Sequence, residues 1–293
     1  MKVEILTTRY DPAETEITLT VLLDDPEANG WELKGRLAGP STPLAETVEV
    51  AYPLRAIVAE DGLLRARVVI PDPCIWSPET PFLYHGPVEV WQHGQLRAST
   101  QVQHGIKEVA LRRKGLRLNG EELVLKCLQG RGVSAEELPR LRQQGINALL
   151  VTVGSTIEPL WEAAARWGFF ILAQLDPHDE QLLWHAQEEL LDETALLGWV
   201  LPQTLIAQPQ HWHNAMTLLH GQRKDVYVGL KIDEVPLGVL PGHVDFLIAD
   251  ADLLTEVSAE KTAKLVWLKR GQTQPESVPS HSIGWVLRSL PIP

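Results

Sequence analysis

The stretch GINALLVTVGSTIEPLWEAAARWGFFILAQL, residues 145–175, decides the fold of the second part of the chain. Two runs within it, 147–153 and 169–175, are apolar almost throughout, as strands buried on both faces are. The apolar residues between the two runs recur at helical spacing: Ile157, Leu160, Trp161 and Ala164. A buried strand, an amphipathic helix and a second buried strand predict one unit of a parallel α/β sheet.

The same pattern extends over residues 115–293, and it predicts eight strands in all. The eight apolar runs are 122–128, 147–153, 169–175, 195–201, 226–232, 244–249, 264–269 and 282–287. Eight strands alternating with helices predict a (β/α)8 TIM barrel, although such barrels usually need ~200–250 residues. The connections 233–243 and 270–281 are rich in Pro and Gly, so we expect a compact barrel with some helices missing. An open doubly wound sheet is the alternative topology.

Residues 1–114 have a different pattern, with short strands separated by turn residues. Strands at 16–23 and 63–70 alternate apolar and polar residues at a period of two. Turn-forming pairs such as Asn29-Gly30 and Gly39-Pro40 lie between the strands. About seven strands without helical periodicity predict an antiparallel β-sandwich, so the fold class is a β domain followed by an α/β domain.

Composition excludes several classes of protein. The 293 residues carry 26 Lys+Arg against 38 Asp+Glu, a net charge of −12. This balance argues against a nucleic-acid partner, because such binding rests on basic residues that neutralise phosphates. No apolar run approaches the ~20 residues of a membrane helix, and the first residues lack the pattern of a signal peptide. We therefore expect no membrane partner and a cytoplasmic location. The sequence gives no indication of the oligomeric state.

Three segments near the junction of the two domains resemble one family. Residues 76–84 read WSPETPFLY, residues 104–109 read HGIKEV, and residues 116–126 read LRLNGEELVLK. In order and spacing they resemble the central sandwich and the barrel entry of glycoside hydrolase family 2, the β-galactosidase and β-glucuronidase family. The resemblance implies an immunoglobulin-like sandwich at 1–114 and a barrel at 115–293. It also implies retaining hydrolysis of β-glycosides by two glutamates, at the ends of the fourth and seventh barrel strands.

The sequence departs from the family at both glutamates. The fourth-strand motif W-S-L-G-N-E corresponds to WVLPQT at 199–204, which places Thr204 at the acid/base position. Lys269 stands at the position of the nucleophile, and residues 262–275 contain no Asp or Glu. The glutamate usual in the third strand is Gln174 here. These departures favour a catalytically degenerate protein that binds carbohydrate or a protein partner through the barrel mouth or the sandwich.

A working O-glycosyl hydrolase with relocated carboxylates is the alternative. Asp176 follows the third predicted strand, and Asp233 and Glu234 follow the fifth. Barrel enzymes assemble their catalytic groups at such strand ends, so these three carboxylates are the candidate replacements. A purely structural role, as a scaffold within a larger assembly, is a third possibility.

The remaining site predictions concern ligand contacts, metals and cofactors. The candidate substrate-binding residues lie late in barrel strands or directly after them: Trp199, Gln203, Thr204, Lys269 and Trp285. An indole face can stack on a sugar ring, but it also packs well inside a barrel. His211 and His213 are two residues apart, which places them on different faces of a helix, so we expect no metal site. No glycine-rich nucleotide motif is present, and we expect no cofactor.

Overall fold

The computed structural model describes residues 1–23, 30–60, 63–112, 115–130, 132–153, 158–175, 193–220, 223–234, 244–250, 266–271 and 282–287. The chain divides into two compact units, Met1–Lys107 and Glu108–Pro293. The first unit thus ends at residue 107, whereas the sequence places the boundary after residue 114.

The first unit consists of two four-stranded antiparallel sheets, with the orders β1-β2-β6-β5 and β4-β3-β7-β8. The strands are β1 Val3–Arg9, β2 Glu14–Leu22, β3 Trp31–Ser41, β4 Val50–Pro53, β5 Arg55–Glu60, β6 Leu63–Pro71, β7 Leu83–Gln92 and β8 Gln95–His104. Strand β2 buries every second residue, as its alternating sequence predicts. Ile17 and Leu19 of one sheet share a buried cluster with Leu37 and Val88 of the other. The two sheets therefore form a β-sandwich around one apolar core.

The segment that begins with Trp76 is tied to the end of the sandwich. Trp76 is fully buried, its backbone N–H donates to the carbonyl of Ile106 at 2.7 Å, and Lys107 Nζ lies 5.8 Å from the centre of its ring. The Tyr84 hydroxyl accepts a hydrogen bond from the backbone N–H of Cys74 at 2.9 Å, and burial raises the pKa of Tyr84 to about 12. Two of the three family-like segments are thus joined through direct contacts.

The second unit begins with a small antiparallel sheet in the order β11-β10-β9. Its strands are β9 Val109–Arg112, β10 Gly115–Leu118 and β11 Glu121–Leu123. Asn119 and Gly120 turn the chain between β10 and β11 with φ angles of 53° and 86°. The Tyr227 hydroxyl donates to the carbonyl of Val109 and accepts from the N–H of Leu111, both at 3.0 Å. One side chain of the barrel therefore holds strand β9.

Eight parallel strands form the barrel: β12 Leu125–Gln129, β13 Ala148–Thr152, β14 Phe170–Gln174, β15 Leu196–Pro202, β16 Tyr227–Lys231, β17 Phe246–Asp250, β18 Val266–Gly271 and β19 Ser282–Leu287. Each strand pairs with the next, and β19 pairs with β12, which closes the ring of strands. The strands are short, and β13, β14 and β19 are almost wholly buried, as their apolar sequences predict.

Three α-helices lie within the described residues of this unit: α1 Leu138–Gln143, α2 Glu158–Trp167 and α3 Pro209–Leu219. Short 3-10 helices cover Ala135–Glu137 and Gln203–Ala207. Glu137 accepts a hydrogen bond from the N–H of Ser134 at 2.9 Å, which is one half of a capping box at the start of this segment. The prediction of a β-sandwich followed by a TIM-barrel-like domain is confirmed at this level. The connections predicted to lack helices, 233–243 and 270–281, lie largely outside the described residues.

The ring of Phe246 fills part of the barrel interior. A Cβ atom added at Gly229 would lie 2.3 Å from this ring, and one added at Gly198 would lie 3.3 Å from it. Gly198 and Gly229 belong to β15 and β16, so the phenyl ring of β17 reaches across the next two strands. A side chain that spans three adjacent strands lies on the concave face, and the two glycines provide the room for it.

Candidate functional site

The strand register assigns polar residues at the carboxyl ends of the strands to the interior face. Paired residues of adjacent strands, and residues two apart on one strand, point to the same face of a sheet. Followed from β12 to β16, the register places four such residues on the face that carries Gly229 and Phe246: Gln129, Thr152, Gln174 and Lys231. The backbone register continues this face to Asp250 and Arg270, at the ends of β17 and β18. The carboxyl ends of the strands are where barrel proteins build their sites, so this end is the candidate functional site.

The end of the fourth strand supplies two predicted site residues, Gln203 and Thr204, in the 3-10 helix that follows β15. Thr204 is exposed to solvent, and Gln203 is half-buried. The side-chain oxygen of Gln203 accepts hydrogen bonds from the backbone N–H groups of Asp233 and Glu234, both at 2.9 Å. Gln203 therefore holds the chain that leaves the fifth strand against the end of the fourth.

The candidate carboxylates that follow the fifth barrel strand are exposed to solvent. Asp233 and Glu234 are both exposed, and Asp233 Oδ2 lies 3.4 Å from Nζ of Lys231, whose side chain is only 18% exposed. The register brings Lys231 opposite Pro202, one residue before Gln203. The structure thus brings Asp233, Glu234 and Gln203 together, while Asp176 lies outside the described residues.

The two predicted tryptophans are buried in the barrel wall. Trp199 is 0% exposed and Trp285 is 5% exposed. Neither indole N–H has a hydrogen-bond partner in the part of the chain that the structure describes. The register pairs Trp199 with Val228, at positions that alternate with the interior residues Val200 and Gly229. A stacking contact between these indoles and a sugar stays a prediction.

For Lys269 the structure describes the position of the backbone. It lies in β18, where it pairs with Ala249 on one side and with Trp285 on the other. Its side chain lies outside what the structure describes. The two residues that the resemblance assigns to the seventh and eighth strand ends are therefore direct neighbours in the sheet.

Perturbed titratable groups lie elsewhere in the barrel. Asp245 and Tyr227 stand at the amino ends of β17 and β16, and burial raises the pKa of each. Asp245 Oδ2 accepts a hydrogen bond from the backbone N–H of Val228 at 2.7 Å, which partly opposes that shift. Cys127 is fully buried on the interior face, and burial raises the pKa of its thiol far above the ordinary value. Asp245 and Tyr227 therefore lie at the opposite ends of their strands from the carboxyl ends, where barrel proteins build their sites.

The described residues contain neither a group of metal-ligating side chains nor a helix suited to cross a membrane. Within the described ranges, no three His, Cys, Asp or Glu side chains are grouped as metal ligands would be. Among the helices of those same ranges, none has the length and apolar character to cross a membrane.

Three residues of the candidate site were not predicted from the sequence: Gln129, Thr152 and Lys231. Each is the last residue of a barrel strand, and each shares its face with the interior. The signal was present in the sequence, because every one of them is the first polar residue after an apolar pair or run. Assigning them to the interior requires the register, which the sequence does not contain.

Comparison with known proteins supports one fold. No family model matches the chain. A β-galactosidase of Psychromonas ingrahamii is 28% identical over an alignment of 130 residues, which covers 39% of this chain and 12% of that protein. A glycosyl hydrolase family 2 member from Bacteroides cellulosilyticus superposes with a TM-score of 0.74 at 12% identity, over 98% of this chain and 43% of its own. Bacteroides uniformis β-glucuronidase 2 superposes with a TM-score of 0.70 at 12% identity, over 97% and 45%.

The chain spans less than half the length of these relatives, and the likeness is strongest in architecture. The superposed region covers both the sandwich and the barrel of this chain. This chain has a glycoside hydrolase family 2-like fold, a β-sandwich followed by a TIM-barrel-like domain.

Proposed function

We propose that this chain is a glycoside hydrolase family 2-like protein that has lost retaining hydrolysis and binds carbohydrate at the carboxyl end of its barrel. The observation that carries the proposal is the residue after the fourth strand. The resemblance places the acid/base glutamate at position 204, and a solvent-exposed threonine stands there.

The chemistry of retention explains why this position matters. Retaining hydrolysis needs two carboxyl groups about 5–5.5 Å apart, one to transfer a proton and one to attack the sugar. A threonine hydroxyl does not donate a proton usefully near neutral pH. Lysine at position 269 cannot form the glycosyl ester that a carboxylate nucleophile forms. Both substitutions oppose the same two-step reaction.

The surroundings of the nearby carboxylates also favour the proposal over a relocated active site. A glycosidase acid is kept protonated by apolar surroundings. Asp233 is instead exposed and paired with Lys231, and Glu234 is exposed. Hydrogen bonds from their backbone N–H groups to Gln203 fix the chain at this point, but they leave both carboxylates in solvent.

A panel of chromogenic substrates tests the proposal. The purified chain is incubated with 4-nitrophenyl β-galactoside, β-glucuronide and β-mannoside, and release of nitrophenol is followed near neutral pH. We expect no release above that in buffer, because the exposed carboxylates Asp233 and Glu234 lack the apolar surroundings that keep a glycosidase acid protonated.

Hydrolysis that belongs to this chain would be lost when its catalytic carboxylate is replaced. Turnover that is abolished by Asp233→Asn or by Glu234→Gln would show a relocated active site and overturn the proposal. Glu162→Gln is the matched control, since Glu162 is an exposed carboxylate on helix α2. Turnover that persists unchanged in all variants would instead identify a contaminating enzyme, and the absence of hydrolysis by this chain would stand.

A further inference from the structure

Both sheets of the sandwich end on the same side, at strands β4 and β5. Strand β5 is the last strand of the sheet β1-β2-β6-β5, and β4 is an outer strand of the other sheet. The two strands follow each other in the chain and are separated only by Leu54. We call them together the β4–β5 edge. The outer backbone N–H and C=O groups of an edge strand are available to a further strand.

The apolar core is incompletely covered along this edge. Ala56 pairs with Ala66 of β6, which is buried in the core, so both residues face inward. Val50 also faces inward, because it lies two residues before Tyr52, which packs against the core. Ala56 is nevertheless exposed, and Val50 is 48% exposed. Apolar side chains on the inward side of one further strand would cover these two residues.

The outer face of the same edge carries Arg55, Arg65 and Arg67, which we call the arginine face. Arg55 of β5 pairs with Arg67 of β6, and Arg65 lies two residues before Arg67, on the same face. All three side chains are exposed. Arg67 Nη1 lies 3.5 Å from Glu16 Oε2, whereas Arg55 and Arg65 have no ion pair among the residues that the structure describes. Like charges directly opposite each other destabilise a sheet, so an anionic neighbour would stabilise this arrangement.

Charge and spacing indicate which kind of anion fits the arginine face. The chain as a whole is acidic, with 26 Lys+Arg against 38 Asp+Glu. A long nucleic acid or an anionic membrane would be repelled by the acidic remainder, whereas a short acidic segment contacts the arginine face alone. In an extended segment, side chains on one face recur about 6.7 Å apart, which is also the spacing of Arg65 and Arg67 along β6.

We propose that the β4–β5 edge binds a short extended segment of a partner protein in which acidic and apolar residues alternate. The segment adds a strand to β5, and its backbone groups pair with those of the edge. Its acidic side chains lie against the arginine face, and its apolar side chains cover Ala56 and Val50. The pairing of β5 with β6 is regular from Arg55 to Ile57 and shifts before Glu60, so the added strand is short. The edge belongs to the sandwich, and its binding does not depend on the chemistry of the barrel.

Titration of the full chain with a designed peptide tests this proposal. The probe is an octapeptide of alternating valine and glutamate, capped at both ends and labelled with an uncharged fluorophore, and its fluorescence anisotropy is measured. The matched peptide has glutamine in place of every glutamate. We expect the glutamate peptide to bind about fivefold or more tightly at low ionic strength, the factor for one or two exposed ion pairs. Added salt should reduce this difference.

Variants of the chain locate the binding. Arg55→Gln and Arg65→Gln should each weaken binding of the glutamate peptide by roughly two- to fivefold, the effect of one exposed ion pair. Arg97→Gln is the matched control, because Arg97 is an exposed arginine of β8, at the opposite edge of the other sheet. Thermal unfolding of all three variants verifies that the chain remains folded.

Two N-methylated peptides test whether the segment adds a strand. One carries a methyl group on the backbone nitrogen of every valine, and the other carries it on that of every glutamate. Backbone N–H groups of alternate residues point to opposite sides of a strand, so only one of the two sets faces β5. We expect one of these peptides to lose binding and the other to retain it.

Four results would overturn the proposal. Equal binding of the glutamate and glutamine peptides, or no binding of either, would show that the edge does not recognise such a segment. Unchanged affinity in both arginine variants would place the peptide elsewhere. Equal behaviour of the two N-methylated peptides would show that no strand is added. Tighter binding of a heparin octasaccharide than of the glutamate peptide would identify an anionic polysaccharide as the occupant.

Discussion

At the scale of single residues, the barrel uses polar side chains at both ends of its strands to satisfy backbone hydrogen-bonding groups. Asp245 and Tyr227, at the amino ends of their strands, satisfy backbone groups of Val228, Val109 and Leu111. Gln203, at the carboxyl end, does the same for Asp233 and Glu234 with its side-chain oxygen. Polar side chains at both ends of the barrel strands thus stabilise the fold by pairing with backbone groups.

Asp245 gives a prediction at this scale. Burial raises its pKa, so the folded state disfavours the ionised form, while the nearby His220 favours it. The stability that Asp245 contributes is therefore fully present below its pKa in the unfolded chain and is lost as pH rises through the higher folded value. Asp245→Asn keeps an acceptor for Val228 and removes the ionisation. We expect its stability relative to wild type to be greatest near neutral pH and to decline toward pH 4.

Urea denaturation of both proteins at several pH values measures this difference. The difference cancels the contributions of all other carboxylates that the two chains share. A stability difference that does not change with pH, or that grows in favour of the variant as pH falls, would show that Asp245 is not desolvated in the folded state.

At the scale of elements, strand β9 is held by the side chain of a barrel strand. Tyr227→Phe removes the hydroxyl that donates to Val109 and accepts from Leu111. We expect a loss of about 1–3 kcal/mol in the free energy of unfolding, because two backbone groups lose their partner. Hydrogen exchange of the Leu111 amide should become faster in the variant.

Tyr52→Phe is the control for this prediction. Tyr52 is a half-buried tyrosine of the sandwich, and its hydroxyl has no hydrogen bond among the described residues. Equal effects of the two substitutions on stability would mean that the Tyr227 hydroxyl does not hold strand β9.

The elements also show how far sequence reasoning extends. All eight barrel strands lie within or overlap the predicted apolar runs, because buried parallel strands have a clear composition. The 3-10 helix Gln203–Ala207 was not predicted, since Pro202 ends the strand and no periodicity marks so short a helix. The grouping of Gln129, Thr152 and Gln174 depends on pairing between strands that are about 20 residues apart in sequence. Local patterns cannot supply that information.

At the scale of the whole molecule, the fold resembles that of family 2, whereas the residues at the expected catalytic positions differ from those of the family. The sandwich and the barrel match family 2 structures over nearly the whole chain at 12% identity, so the architecture tolerates extensive change in sequence. A shared fold carries no activity by itself, because activity belongs to the side chains at the site. In this chain the expected acid/base and nucleophile positions hold Thr204 and Lys269.

The most direct test of the central claim asks whether the chain holds a carboxylate nucleophile. A cyclophellitol-type aziridine is opened by such a nucleophile, and one is bound covalently in Bacteroides uniformis β-glucuronidase 2. The full chain is incubated with galacto-, gluco- and glucuronic-configured aziridines, and its intact mass is measured. We expect an unchanged mass with each probe. A gain of one probe per chain, mapped by peptide analysis to Asp176, Asp233 or Glu234, would contradict it.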